Sequence, residues 1–313
     1  MDRIDAMRVF VSVLEEGSLA AAARRFGRSP AAVSRTIAYL EQHVGAQLLH
    51  RTTRSLKLSE VGERYAAACR RILSDLEEAD MMAAGERAAP RGVLTVTAPL
   101  VAGSQIIRPL LDAFLDTQPN VRARLLLLDR PVNLIDEGVD VALRIAHLPD
   151  SSLVAIRVGE VRRVVCAAPS YLDNRPPIRT PHDLRDQVIV NMPQFGIDAW
   201  VFPPAEDSPG LRTIPIAPRL AVNTIESAVA SAVTGQGVTR VFSYQVADHV
   251  AAGRLRIILA DAEPTPLPVH VITPEGRLSA PKVRAFVDFV VPRLKAEFAR
   301  RAEAARMPAE TLA

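Results

Sequence analysis

The sequence predicts a multidomain chain of class α+β/α/β: an N-terminal winged helix-turn-helix, a long linker helix and a two-lobed α/β domain. Three observations predict it. The chain's 313 residues suit two or three domains rather than one. Three short helical periods, each closed by a glycine, lie between Met1 and Gly45. Beyond Gly92, short β-type runs alternate with helical ones, a pattern that implies parallel sheets covered by helices on both faces.

The first helix shows Met7, Phe10, Val11 and Leu14 on one face and ends at Gly17. Ser18 caps the second, whose Leu19, Ala22, Ala23 and Phe26 form an apolar face that Gly27 closes. Ser29 and Pro30 restart a helix at once, as N-cap and first helical residue. It carries Val33, Ile37, Leu40 and Val44 inward and ends at Gly45. Residues 48–58 alternate weakly about a basic middle and predict a two-stranded wing. Ser59 caps a long helix; Glu63 lies one residue out of capping-box register, so only the N-cap is expected. Val61, Tyr65, Ala68, Ile72, Leu76, Ala79 and Ala83 recur at near-heptad spacing. A helix between two domains has little of its own to pack on, so a dimer seam is favoured over a helix lying on its own domain.

Gly85–Gly92 reads as a hinge. Strands are expected at 93–97, 121–128, 139–145, 153–158, 161–167, 187–191, 238–242, 255–258 and 269–272. Helices are expected at 105–115, 132–137, 224–234, 246–251 and 281–304. Arg162-Arg163 and Pro264–Pro268 are the expected crossings between two lobes. The division is then 1–58 for the winged unit, 59–88 for the linker helix, 89–302 for the α/β domain (lobe I about 92–162 and 267–302, lobe II about 163–266) and a frayed tail at 303–313.

Composition narrows the function. Hydrophobic residues at 49% and charged residues at 23% are enough for packed cores. Aromatics at 4%, with one Trp, argue against a single-strand or RNA binder, which needs stacking platforms. Cys69 and Cys166 form no CxxC and suggest a reducing compartment. The start lacks a signal-peptide layout and no run has the length of a membrane span, so a cytoplasmic protein is expected. The net charge is +3, but between Arg24 and Lys57 stand Arg24, Arg25, Arg28, Arg35, Arg51, Arg54 and Lys57 against Glu41 alone. Most charge runs are solvated faces, yet this one follows a helix-turn-helix pattern and has the footprint of a phosphate-contacting surface. On the third helix Ala31, Ser34, Arg35 and Ala38 share the outer face. Small residues let the backbone approach a major-groove floor, where Arg35 has the reach for a guanine edge. Arg51, Thr52, Arg54 and Lys57 supply phosphate donors from the wing.

These residues carry a resemblance. Arg8-Val9-Phe10, Gly17 through Ala23, Ala32-Val33-Ser34-Arg35-Thr36-Ile37, Leu40-Glu41, Val44-Gly45, Leu48-Leu49-His50-Arg51 and Leu58-Ser59-Glu60-Val61-Gly62 resemble, in order and spacing, the N-terminal signature of LysR-type transcriptional regulators. Gly92–Val96, Ala167–Leu172 and Lys282–Phe289 resemble that family's effector domain. The resemblance implies a periplasmic-binding-protein-like effector fold and sequence-specific duplex DNA binding through Ser29, Pro30, Ala31, Ser34, Arg35, Arg51, Thr52, Arg54 and Lys57. It implies a small-molecule effector, an organic acid or an aromatic compound, in a cleft between the lobes. The lining would come from Pro99, Leu100, Val101, Arg144, Ile145, the 191–196 loop, Asn223, Thr224 and Thr239. It also implies self-association, a dimer through the linker helix and a tetramer through paired effector domains. Pro30 departs from the polar residue common at its position and cannot reach a base edge. Arg240 and Ser243 depart from the family's usual aliphatic and proline.

No cofactor, metal site or catalytic constellation is expected. The six histidines form no HxH or HExxH, and neither GxSxG nor a phosphate-binding GxxxxGK[ST] occurs. Gly235-Gln236-Gly237 reads as a helix C-cap, and both cysteines read as structural, with redox sensing by Cys69 the alternative. A solute-binding protein without gene control and an enzyme on a two-lobed fold are the rivals. The basic N-terminal segment opposes the first, and the missing nucleophile or metal set opposes the second.

Overall fold

The computed structural model describes residues 2–51, 56–83, 89–148, 153–192, 199–204 and 210–306. Helix α1 (Arg3–Glu16) starts at Asp2, whose carboxylate accepts from the Ile4 and Asp5 amides at 3.1 and 3.4 Å. Such caps satisfy amides that a first turn leaves open. Helix α2 (Leu19–Arg25) starts at Ser18, which accepts from the Ala20 and Ala21 amides. Helix α3 (Pro30–Val44) starts at Ser29, which accepts from the Ala32 amide at 3.2 Å. It ends at Gly45, whose φ of 71° suits a residue without Cβ. Met7, Phe10, Val33, Ile37 and Leu40 are buried among these helices, and Ala22 and Ala23 let α2 come close. Strands β1 (Leu49–Arg51) and β2 (Leu56–Leu58) pair antiparallel, His50 opposite Lys57, as the expected wing; 52–55 lie outside the described residues.

Helix α4 (Glu60–Ala83) is capped by Ser59, whose hydroxyl accepts from the Gly62 amide at 2.9 Å. The expected near-heptad stripe is in part open: Val61 and Ile72 are each 38% exposed, Ala79 is exposed, and Ala68 and Leu76 are half-buried. The expectation that α4 lacks a surface of its own is corrected for its first half. A second stripe, Gly62, Ala66, Cys69 and Leu73, packs on the core of α1–α3, and Tyr65 brings its ring to 6.0 Å from that of Phe10. A Cβ on Gly62 would lie 2.0 Å from the Leu48 carbonyl oxygen, so only glycine seats α4 on the base of the wing. The other side of α4 meets the α/β part. Arg71 donates to the Ile135 carbonyl at 3.0 Å and Asp75 pairs with Arg277 at 3.0 Å.

The α/β part begins with β3 (Gly92–Ala98). Helix α5 (Leu100–Ala102), a π turn (Gly103–Ile107) and α6 (Arg108–Thr117) then form one helical run, longer than the expected helix. Strand β4 (Val121–Leu127) follows. Within 132–137, expected as a helix, only a turn at 134–138 forms: Asn133 caps it through the Ile135 and Asp136 amides, and Gly138, with φ of 65°, ends it after one turn. Strands β5 (Val141–Ile145) and β6 (Leu153–Val161) come next; β6 stays unbroken to Arg162, where two shorter runs were expected to meet earlier. The second lobe holds β7 (Arg163–Ala167), α7 (Pro169–Leu172), β8 (Ile189–Asn191), β9 (Ala199–Phe202), β10 (Arg212–Pro215), β11 (Pro218–Ala221), α8 (Ile225–Val233), β12 (Thr239–Phe242), α9 (Ser243–Ala251) and β13 (Arg256–Ile258). The chain returns in β14 (Leu267–Pro274) and ends in α10 (Pro281–Ala304). Residues 307–313 of the expected tail lie outside the described residues.

The sheets are not wholly parallel, which corrects that expectation. In the order β4-β3-β5-β14-β6, β3 runs parallel to β4 and β5 while β14 runs antiparallel to β5 and β6. Strand β14 re-enters from the second lobe at the end where β5 leaves the sheet, so it runs the opposite way. In the second lobe β12-β7-β13 is antiparallel, β8 and β11 pair parallel, and the β9–β10 hairpin was not foreseen. The two expected crossings lie side by side: Arg162 reaches both carboxylate oxygens of Glu263 at 2.9 Å and the Ala305 carbonyl at 2.8 Å. Helix α10 buries Val283, Phe286, Val287, Val290, Leu294 and Phe298 against the first sheet. Among the described residues no helix is long and apolar enough to cross a membrane, and no cluster of three metal-ligating side chains occurs.

Candidate functional site

Two surfaces hold the residues singled out by sequence. The first is the outer face of α3. Ser29, Pro30, Ala31, Arg35 and Ala38 are exposed and Ser34 is half-buried, while Val33, Thr36, Ile37 and Leu40 point inward. The Arg35 guanidinium makes no hydrogen bond or ion pair with the described residues and stands free to meet a partner. Thr36, on the inner face, turns its hydroxyl back to the Ala32 carbonyl at 3.0 Å. Arg51 is on β1, and Lys57, exposed, is on β2; Thr52 and Arg54 lie outside the described residues.

Part of the basic surplus read from the sequence is compensated within the fold. Arg28 grips Asp5 with both guanidinium nitrogens at 2.8 and 2.9 Å, and Arg25 reaches Glu15 and Glu16 at 3.4 and 3.2 Å. Those acids sit on α1, outside the segment in which charges were counted. Glu41 accepts from the Leu48 and Leu49 amides at 2.8 and 3.1 Å, anchoring the wing to α3. With Arg25 and Arg28 paired in this way, Arg35 on α3 and Lys57 on the wing remain exposed.

The second surface is a cleft of about 1020 Å³ between the first sheet and the second lobe. It forms where β3, β4 and β5 end, the position at which ligands collect in open α/β sheets. Pro99 and Val101 follow β3, and Arg144 and Ile145 close β5; all four line the cleft, as do Asn191 and Met192 from the loop after β8. Residues 193–196 of that loop lie outside the described residues. Leu100, Asn223, Thr224 and Thr239 are not among the lining residues, each for a local reason. The Leu100 amide is tied to the Asp129 carboxylate at 3.0 Å. Thr224 spends its hydroxyl on capping α8, next to an exposed Asn223, and it is Ile225 that reaches the cleft. Thr239 is 1% exposed and pairs with Cys166, on the opposite face of the second-lobe sheet from its neighbour Arg240.

Residues not singled out for the cleft make up much of its second-lobe wall: Arg163, Trp200, Arg240, Phe242, Tyr244 and Gln245. The antiparallel register sets Arg163 opposite Phe242 and Arg240 opposite Val165, so both arginines stand on one face. The Arg163 guanidinium lies 4.7 Å from the Phe242 ring centre and that of Arg240 4.5 Å from Phe202. Arg240 also donates to the Val201 carbonyl at 2.8 Å, and its buried Nε has no hydrogen-bond partner. Burial lowers the Arg163 pKa; burial, then the Arg163 charge, lowers that of Arg240 to about 10. Across the cleft Arg144 donates to the Leu143 carbonyl at 2.9 Å and to the Thr97 hydroxyl at 3.3 Å. Burial lowers its pKa, opposed by Glu137 and Asp129. The signal available in sequence was the alternation of Arg240 and Phe242 along one strand. Trp200 is held by a hydrogen bond from its indole nitrogen to Asn191 at 3.2 Å.

The turn at 131–138 belongs to both neighbourhoods of this part: Val132 and Leu134 line the cleft, and the Ile135 carbonyl takes the bond from Arg71 of α4. Burial pushes the Cys69 thiol up to about 11 and the Cys166 thiol up to about 12.

Comparison with known proteins gives the chain's family. Residues 4–63 match the family model "Bacterial regulatory helix-turn-helix protein, lysR family", and residues 87–295 match "LysR substrate binding domain". The chain is 34% identical over 288 residues to an HTH-type transcriptional regulator of Xanthomonas campestris pv. campestris, covering 91% of this chain and 84% of that one. It superposes on CrgA, a LysR-type transcriptional regulator from Neisseria meningitidis, with TM-score 0.59 and 28% identity over 93% of this chain and 98% of that one. It shares the fold of AphB, a Vibrio cholerae virulence activator, with TM-score 0.59 and 23% identity over 93% and 99% of the two chains.

Proposed function

We propose that this chain, which belongs to the LysR family of DNA-binding transcriptional regulators, reads an operator through α3 and the wing and answers to a small molecule bound between its two lobes. The family and the relatives are transcriptional regulators, not enzymes. The observation that carries the DNA reading is the outer face of α3: small side chains at Ala31 and Ala38 beside an uncommitted Arg35, with the wing alongside. In this reading Arg35 and Ser34 meet base edges, Ala31 and Pro30 allow close approach, and the Ser29 end of the helix with Arg51, Thr52, Arg54 and Lys57 meets phosphates.

The effector reading rests on the cleft, with Pro99, Val101, Arg144 and Ile145 on its first wall. Leu100, Asn223, Thr224 and Thr239 lie outside that lining. The effector class is an organic acid or an aromatic compound. Self-association through the open stripe of α4, centred on Val61 and Ile72, makes the dimer, and pairing of effector domains makes the tetramer. Two wings per dimer then fit a pseudo-palindrome with half-sites about one helical turn, or a multiple of it, apart. A ligand that prefers one arrangement of the lobes shifts the placement of the reading helices.

DNase I footprinting of the full-length protein on the region upstream of its own gene, at low salt, tests the DNA reading. A protected stretch with two half-sites supports it, and uniform cleavage at every protein concentration removes it. Thermal shift across organic acids and aromatics tests the effector reading, since a ligand that binds only the native state raises Tm.

A further inference from the structure

The two walls of the cleft differ in charge balance. On the first-lobe side, Arg130 pairs with Glu137 at 2.9 Å, and Arg144 faces Asp129 and Glu137. On the second-lobe side, Arg163 and Arg240 form no ion pair with any described carboxylate, although both are half-buried. They are diagonal neighbours across β7 and β12, which sets their Cβ atoms somewhat under about 7–8 Å apart. Each rests on a phenylalanine, and stacking of this kind fixes the guanidinium plane and leaves its edge for a flat acceptor. Like charges held close and partly desolvated are unfavourable until an anion joins them. The opposite wall is apolar at Pro99, Val101, Leu128, Pro131 and Leu134.

We propose that the effector is an amphipathic organic anion whose carboxylate seats on Arg163 and Arg240, with its apolar body lying toward Pro99, Val101 and Leu134. This rests on the cleft being the effector site and adds the ligand's charge and its orientation. The acid end belongs to the second lobe and the body to the first, so a single molecule spans both walls. A carboxylate answers the geometry because it takes two parallel N–H donors from a guanidinium edge; Arg163 makes no hydrogen bond with the described residues, and Arg240, held to the Val201 carbonyl, adds a second positive charge on the same face.

Trp200, the chain's one tryptophan, lines the same wall and reports occupancy directly. The full-length protein is titrated with benzoate, octanoate, benzamide, benzylamine and acetate while Trp200 emission is followed. Saturable changes are expected with benzoate and octanoate, with affinity at least tenfold weaker for benzamide and acetate and no response to benzylamine. Arg163→Met and Arg240→Met are each expected to weaken benzoate binding by about tenfold to a hundredfold, the loss of one charge-assisted hydrogen bond, with the far-UV CD spectrum unchanged. The panel on the unaltered protein decides the matter even if a variant does not fold. Benzamide binding as tightly as benzoate, or unchanged benzoate affinity in both folded variants, overturns the inference. A response to benzamide or benzylamine alone keeps the cleft as the ligand site and overturns its preference for anions. Silence to every probe counts against the cleft as well.

Discussion

Replacing Arg35 by alanine separates base reading from phosphate binding. The side chain is exposed on α3 and bonded to none of the described residues, so its removal opens no cavity and leaves no partner behind. Arginine and alanine are both good helix formers, and the folding free energy should move by less than about 0.5 kcal/mol. A bidentate arginine–guanine contact discriminates by about 1–3 kcal/mol, which at about 1.4 kcal/mol per decade is a loss of roughly five- to 150-fold in operator affinity. Fluorescence anisotropy on an operator duplex and on a scrambled duplex of the same length, repeated across a salt series, measures both quantities. The expected result is weaker operator binding with scrambled-duplex binding and salt slope unchanged. Arg51→Ala supplies the contrast: both duplexes should weaken alike and the log–log salt slope should fall by about 0.9, one phosphate contact. Equal losses on the two duplexes for Arg35→Ala would make Arg35 a phosphate contact, and no loss on the operator would take it out of the interface.

Three other perturbations follow from the packing. Gly62→Ala places a methyl group 2.0 Å from the Leu48 carbonyl oxygen and should destabilise the N-terminal unit by about 1–3 kcal/mol, read as a lower urea midpoint; an unchanged midpoint would mean the wing gives way freely. Cys69 and Cys166, held as thiols by burial, should resist iodoacetamide in the native protein and label fully in urea, and peroxide should leave operator binding intact; native labelling of Cys69 would reopen redox sensing. Hydrogen bonds from Arg300, and from Arg301, hold the Glu297 carboxyl down from 4.5 to about 2. A carboxyl whose folded pKa is depressed adds stability that is complete above its unfolded pKa and drains away as pH falls toward its folded one. Glu297→Gln should therefore flatten the acid limb of urea stability between about pH 4.5 and 2, and an unaltered limb would assign it to other groups.

Features set within one turn of chain were legible in the sequence. Ser18, Ser29, Pro30 and Gly45 punctuate the helices where expected, because a cap is a bond between residues two or three apart. The wing and the inner face of α3 follow from alternation and from the 3.6-residue period. What escaped depends on residues distant in sequence. Arg28 meets Asp5 from 23 positions away, so a windowed charge count overstated the free positive charge. The stripe at Ala66 and Cys69 is as apolar as the one at Val61 and Ile72, and only the position of α1 tells which is covered. For the cleft, the strand ends gave the first wall, but Thr239 was taken in place of Arg240 because the phase of β12 depends on its pairing with β7.

The seat that Gly62 makes for α4 has a mechanical consequence. With Ala66 and Cys69 sharing the core of α1–α3, the helix and the head that carries Arg35 move as a single stiff lever. From Glu60 to Asp75, where the α/β part holds it, the arm spans about 24 Å at about 1.5 Å per residue, so swinging it by about 10° displaces its tip on the order of 4 Å. That exceeds the rise between adjacent base pairs, about 3.4 Å. A modest rotation at the far end of the arm is therefore enough to carry the head from one base step to the next along a duplex.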